Sequence, residues 1–283
     1  MAVWQGPARA RRRISVLLLA ATVAAGLSSC AAPPPGPPQT LEAVVAGPQR
    51  APANKVRDRH RHPLETLEFF GITESMTVME VSPGSGWYSE ILAPYLRDRG
   101  HYFAAVRPES KDAPAYVARQ NQALRDKFKA QPEFYRNAKI VTLGAPDAWK
   151  PLPPGSADMV LTFRNVHNWL DDGTVREMFG AFYRSLRKGG VLGVVEHRAA
   201  PGTSLAEMID SGYVTQDLVV KLAEEAGFRF VAWEEINANP KDTKHYPKGV
   251  WTLPPTLALG ETDQAKYLLI GESDRMTLRF VKP

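Results

Sequence analysis

The chain predicts an α/β fold, a single Rossmann-like domain with a mostly parallel seven-stranded sheet, an antiparallel C-terminal strand and helices on both faces. Three observations predict it. Short β-branched, apolar runs alternate with helical patterns at βαβ spacing. The first run, "TVMEV", passes through a glycine turn straight into a helix. The terminal run, "MTLRFVKP", alternates apolar and polar as an antiparallel edge strand does.

Taken in order, "RDRHRHPLETLEFFGI" predicts a docking helix ahead of the first strand, Thr77 to Val81. The following helix gathers Trp87, Ile91, Leu92, Tyr95 and Leu96 on one face. Gly100 closes it, and "HYFAAV" is the second strand. Residues 113 to 137 are charged and helix-prone, "KIVTL" is the third strand and "ADMVLTF" the fourth. Asp171 to Leu186 predicts a helix stopped by Arg187-Lys188-Gly189-Gly190, and "VLGVVEH" is the fifth strand. Thr215 to Ala226 predicts another helix, Gly227 ends it, and "FRFVAWEEI" is the sixth strand. Between Ile236 and Asp274 periodicity is weak, which suits a lid, a binding loop or a disordered stretch.

Residues 1–30 read as a leader. Arg9, Arg11, Arg12 and Arg13 precede an apolar run, Ile14 to Leu27, too short to span a bilayer permanently. Leu27-Ser28-Ser29-Cys30 resembles a bacterial lipobox, which implies lipidation of Cys30; an ordinary cleaved signal is the alternative. Ala31 then favours the periplasmic face of the outer membrane, and the paired arginines weakly resemble a twin-arginine signal. Cys30 is the single cysteine, so neither a disulfide nor a cysteine-rich metal site is available. Residues 31–55, rich in Pro, Ala and Gly, predict a tether to the membrane, and 56–283 the folded domain. The sequence pI of about 9.3 owes much to the leader. Four of the 35 Lys and Arg and none of the 30 Asp and Glu precede Cys30, leaving 31 basic against 30 acidic residues. A body so near neutrality has no electrostatic footprint for nucleic acid.

The turn "EVSPGSG", Glu80 to Gly86, lies where glycines let backbone approach a ligand and a helix N-terminus offers free N–H groups. A dinucleotide fingerprint would need a third glycine, and Ser89 follows instead. The segment resembles motif I of class I S-adenosylmethionine-dependent methyltransferases. With "RNVHNW", "GGVLGVVEHRAAPGT" and "SDRMTLRFVKP" it resembles a bacterial methyltransferase-like family with secreted or lipidated members. The resemblance implies S-adenosylmethionine as cofactor, its methionine end held by Glu80, Ser82, Gly84 and Gly86. A serine at the first glycine position requires a negative φ or a small backbone shift. The family's ribose-binding acid falls at Arg107, so either Glu109 reaches back to the ribose or ribose recognition is lost; the first is expected. Asp147 matches an adenine contact and is otherwise a turn residue; Asn165 is a further cofactor-side candidate.

"FRNVHNWL" puts Arg164, Asn165, His167 and Asn168 beyond the carboxyl end of the fourth strand, the edge where open α/β sheets bind ligands. An imidazole, ordinarily titrating near about 6.5, suits a general base for an oxygen or nitrogen acceptor. His167 is one candidate, or else packs and caps its helix; His197 is the other. Glu196 and His197 alternate in a strand, so they are expected to face opposite ways and not to pair. His60 and His62 with Asp58 lack a third metal ligand and read as a solvated basic arm; no metal is expected. Tyr246, Trp251 and "TLPPT" either cover an apolar acceptor or anchor their loop. Two functions follow: a methyltransferase with a small or envelope-associated acceptor, or a methyltransferase-fold binding module.

Overall fold

A computed structural model describes residues 1–6, 39–111, 113–144 and 147–283. The leader, Cys30 and the first part of the expected tether lie outside the described residues. The helices are α1 (Leu41–Ala46), α2 (Pro52–Lys55), α3 (Asp58–Arg61), α4 (Pro63–Phe70), α5 (Ser89–Leu96), α6 (Ala115–Ala130) and α7 (Pro132–Tyr135). They continue as α8 (Val166–Asp171), α9 (Val175–Ser185), α10 (Leu205–Ser211), α11 (Gln216–Glu225) and α12 (Gln264–Ile270). The strands are β1 (Thr77–Val81), β2 (His101–Val106), β3 (Lys139–Thr142), β4 (Ala157–Phe163), β5 (Leu186–His197), β6 (Arg229–Glu234) and β7 (Arg275–Val281).

The seven strands form one sheet in the order β3-β2-β1-β4-β5-β7-β6. β1 pairs in parallel with β2 and β4, while β7 runs antiparallel to both β5 and β6. The expected fold class is therefore the observed one. Each face carries its own core, because strands covered on both sides must be apolar on both. Leu67, Phe70, Ile91, Leu92 and Leu124 fill one face; Phe179, Phe182, Val219 and Leu222 fill the other. Chain order reverses between β1 and β4, which opens a crevice at their carboxyl ends.

Four local expectations change. From Thr40 onward the expected tether is instead folded: Thr40 caps α1, and Leu41 and Val44, three residues apart, are buried against the α4–α5 face. Arg50 is also buried, paired with Asp58 and lying 4.9 Å over the Trp87 ring. An apolar pair at helical spacing outweighed the Pro-rich composition. The solvated arm at His60 and His62 is likewise a helix, α3, whose Arg61 is 3% exposed and bonded to Glu272. The helix expected over 171–186 begins only at Val175, as α9, because Gly173 (φ +68°) separates it from α8, which ends at Asp171. The stretch from Ile236 to Asp274 is packed, with Asn237, Asp242, Thr252 and Tyr267 buried. Its polar residues do this by bonding across the fold: Asn237 donates to Thr66 and Thr277.

Candidate functional site

The ends of β1, β2 and β4 with α6 and α8 enclose a cleft of about 620 Å³. Its floor is the turn after β1. Gly84 (φ +58°) and Gly86 (φ +82°) are left-handed as expected, but so is Ser82 at +50°. The negative φ anticipated for that serine is corrected. Its backbone N–H is bonded to the Ala105 carbonyl at 2.8 Å, and this β2 contact holds the residue in its left-handed conformation. Glycine is needed at 86 for a second reason: a Cβ there would lie 2.7 Å from Leu124 Cδ1. Lys127 braces the turn by donating to the Gly86 carbonyl and to the Glu90 carboxylate.

Glu80 lines the cleft and is 2% exposed. Tyr102 donates to its Oε2 at 2.5 Å and Ser89 to the same oxygen at 3.0 Å. Burial raises the carboxyl from 4.5 to about 7, against those two hydrogen bonds. A raised carboxyl binds its proton more tightly folded than unfolded, so its share of stability falls as pH climbs from about 4.5 to about 7. Glu80→Gln is expected to remove that slope and gain on the natural protein between about pH 5 and about pH 8. Urea denaturation at both values checks it; an unchanged difference would refute it.

The β2 tip corrects another expectation. Glu109 is exposed, accepts from Asn121 and Arg125, and is absent from the cleft wall. Arg107 stands in the wall instead, paired with Asp172 at 2.9 Å. Asp147 is exposed in a turn and does not line the cleft. Asn165 does line it, donating at 3.1 Å to both the Val81 carbonyl and Thr162 Oγ1. It thereby clamps the loop after β4 to the end of β1.

His167 lies on the opposite wall, 7% exposed. Glu196, fully buried on β5, faces His167 Nδ1 at 3.0 Å through Oε1. The expectation that Glu196 and His197 face apart is corrected: a carboxylate oxygen of Glu196 and a ring nitrogen of His197 lie within 4.8 Å, and the carboxylate pairs with His167 at the start of α8. The sequence holds no sign of this pairing, since the partners are 29 residues apart. Glu196 also accepts from the backbone N–H of Val166 at 2.5 Å and of His197 at 2.8 Å. With Nδ1–H donated to a carboxylate, Nε2 is left as the proton acceptor. His197 Nδ1 meets Ser273 Oγ at 2.5 Å, and burial with His167 and Arg164 nearby keeps its pKa well below 6.5, so it stays neutral. The Trp251 ring packs edge-on to His167, 6.0 Å between centroids.

His167, Glu196 and His197 bring one donor atom each within 4.8 Å of one another, a cluster that sequence reasoning missed. It suits hydrogen bonding better than a cation. Both Glu196 oxygens are already taken, and Arg164, Arg275 and Arg61 bear on His197.

No family model matches the chain, and no curated protein matches it by sequence. Its fold is nevertheless widely shared among solved structures. A methyltransferase dependent on S-adenosylmethionine from Aquifex aeolicus is 15% identical with a TM-score of 0.54, over 87% of this chain and 100% of that one. The cyclase SpnF is 16% identical with a TM-score of 0.56, over 86% and 92%. Phosphoethanolamine N-methyltransferase 2 from Haemonchus contortus, solved with S-adenosyl-L-methionine, is 15% identical with a TM-score of 0.53, over 79% and 52%. At these identities the likeness shows the fold: this is a methyltransferase-fold protein with a Rossmann-like α/β sheet. The lipidated family of the sequence reading finds no support among these matches.

The residues of the cleft fit that cofactor at its methionine end, where left-handed Ser82 and Gly84 present backbone beside the buried Glu80 carboxyl; Gly86 lies behind the wall. At the ribose end, among the described residues, no carboxylate of the β2 tip faces the cleft; Gln120, Asn121 and Asp172 are polar groups there that could take hydroxyls.

Proposed function

We propose that the chain is a methyltransferase using S-adenosylmethionine on a small or envelope-associated acceptor. One observation carries the reading: the turn after β1, through Ser82 and Gly84, and His167, backed by Glu196 behind the wall, line the same cleft. The cofactor, when bound, supplies an electrophilic methyl group on a sulfonium. Ser82 and Gly84 would hold its methionine end through backbone, with Asn165 fixing the turn against the β4 loop. His167 Nε2 takes the proton from an acceptor O–H or N–H as that atom's lone pair accepts the methyl group. Trp251 covers the imidazole side of the cleft and limits water there. The Arg-rich leader and Cys30 support, within the same proposal, a lipid anchor on the periplasmic side of the envelope.

The test is calorimetric titration of S-adenosylhomocysteine into the full chain. Micromolar binding is expected, weakened about 10- to 100-fold by Gly86→Val, whose side chain must enter the space held by Leu124 at a strained φ. A second reading, a binding module that retains the fold without transfer, is favoured by the Arg107–Asp172 pair at the ribose position. No binding at millimolar ligand, by a protein that melts cooperatively, would leave that reading alone.

A further inference from the structure

Arg164 is the first residue after β4, and its φ is +62°. A left-handed conformation costs a non-glycine residue roughly 1–2 kcal/mol, so a long cationic side chain there needs a reason. The Arg164 backbone N–H is bonded to the Val195 carbonyl at 2.7 Å, which holds the backbone as in Ser82 but gives no reason for a cation. The neighbouring Tyr88 and Phe163 stack on each other, ring centroids 3.6 Å apart, and line the cleft with it.

Charge makes the position stranger. Arg50 has Asp58, while Arg57, Arg61 and Arg275 share Glu272 at 2.6, 3.0 and 3.2 Å. Arg164 sits in the field of that same group, yet among the described residues its guanidinium has neither ion pair nor hydrogen bond. Four guanidiniums therefore surround one carboxylate, and the fourth faces the cleft. Burial lowers its pKa to about 10, and Arg275 and Arg57 act in the same direction. Arg57 Nη2 is also buried without a hydrogen-bond partner. With Arg61 and Arg275 buried and Arg57 and Arg164 half-buried, such an excess of positive charge around one carboxylate is costly until an anion arrives.

We propose that Arg164 is the anchor for an anionic group, a carboxylate or a phosphate, on the molecule that fills the acceptor side of the cleft. This deepens the methyl-transfer reading, on which the word acceptor rests. A planar guanidinium takes either group through two parallel hydrogen bonds, which fixes orientation as well as position. Arg164, just after β4, and His167, in the first turn of α8, are three residues apart, and both line the cleft. An acceptor held at its anionic end by Arg164 thus offers its reacting atom to the imidazole. The cofactor's own carboxylate has the same chemistry, and the test separates the two.

Arg164→Gly removes the guanidinium and relieves the left-handed backbone, so the variant should fold at least as well as the natural protein. The full chain, this variant and Arg107→Gln are melted with and without inorganic phosphate. The natural protein should gain about 3–5 °C at tenfold excess over its dissociation constant. Arg107→Gln should keep that gain and Arg164→Gly should lose most of it. No gain in the natural protein, or an equal gain in Arg164→Gly, would overturn the site. S-adenosylhomocysteine is then titrated into the same proteins. An affinity unchanged by Arg164→Gly supports the acceptor-side role; a tenfold loss would assign the guanidinium to the cofactor's carboxylate and overturn it. Failure of the natural protein to bind S-adenosylhomocysteine, with the phosphate response intact and specific to Arg164, would sink methyl transfer and leave the anion site standing.

Discussion

Replacing Glu272 by glutamine is expected to destabilise the fold by about 3–5 kcal/mol, because it leaves buried cations without their counter-charge. For a domain of this size that lowers the melting temperature by roughly 10 °C. The substitution is nearly isosteric, so no cavity accompanies it. Glu272 is 4% exposed and bonds Arg57 through Oε1 and Arg61 and Arg275 through Oε2. An amide offers one oxygen only, so one guanidinium must face an NH₂ group. The loss is also one of connection, since Arg57 and Arg61, with the Asn237–Thr66 bond, tie the helices before β1 to the segment before β7. Burial acts to raise the Glu272 pKa from 4.5 and is outweighed by Arg61, Arg275, Arg164 and Arg57, which hold it far below. A depressed carboxyl contributes stability that is complete above its unfolded value and lost as pH falls through the folded one. The natural protein should therefore weaken in acid, from about 4.5 downward, more steeply than Glu272→Gln does. Adding Arg57→Met to the variant should recover part of the loss, a non-additivity that a double-mutant cycle measures. Parallel acid slopes, or a loss under about 1 kcal/mol, would mean that the cluster is solvated and contributes little.

That cluster shows where sequence stops informing. Sheet class and strand sequence were legible because each strand advertises itself locally, through β-branched runs between turns and a periodicity that changes from two to 3.6. The glycine turn was legible for the same reason. Arg57 and Glu272, in contrast, are 215 residues apart, and nothing in "DRHRHP" distinguishes a buried cation from a solvated one. The tether was misread because composition was weighed over the spacing of Leu41 and Val44. Ser82 was misread because its left-handed φ is imposed by β2, a tertiary contact that local propensity does not contain. At the ribose position the sequence showed Arg107 and offered Glu109 as a substitute. It could not show that Asn121 and Arg125 would claim that carboxylate. Candidate residues were found where each projects from a strand end; their pairings, which decide chemistry, were not.

The largest effect on chemistry should come from the least visible of those pairings. His167→Ala is expected to lower methyl transfer by about 10²–10⁴-fold, the usual loss on removing a positioned proton acceptor. Glu196→Gln should come close to it although Glu196 has no place in the cleft wall. Glu196 is a positioning residue: it fixes which ring nitrogen carries the proton, and its two oxygens grip the backbone N–H groups of Val166 and His197. An amide can satisfy one of these roles at a time. If it presents NH₂ to His167, Nδ1 becomes the acceptor and the proton moves to Nε2, where an acceptor can no longer be deprotonated. The readout is labelled methyl group transferred from S-adenosylmethionine to an extract of the native host, set beside the affinity for S-adenosylhomocysteine. A merely structural role would weaken both together, since Asn165, which precedes α8 and His167, is the clamp on the turn after β1. A proton-positioning role lowers the rate while affinity holds within about threefold. Equal losses of rate and affinity in Glu196→Gln would reduce the pair to a packing element and return His197 as the candidate base.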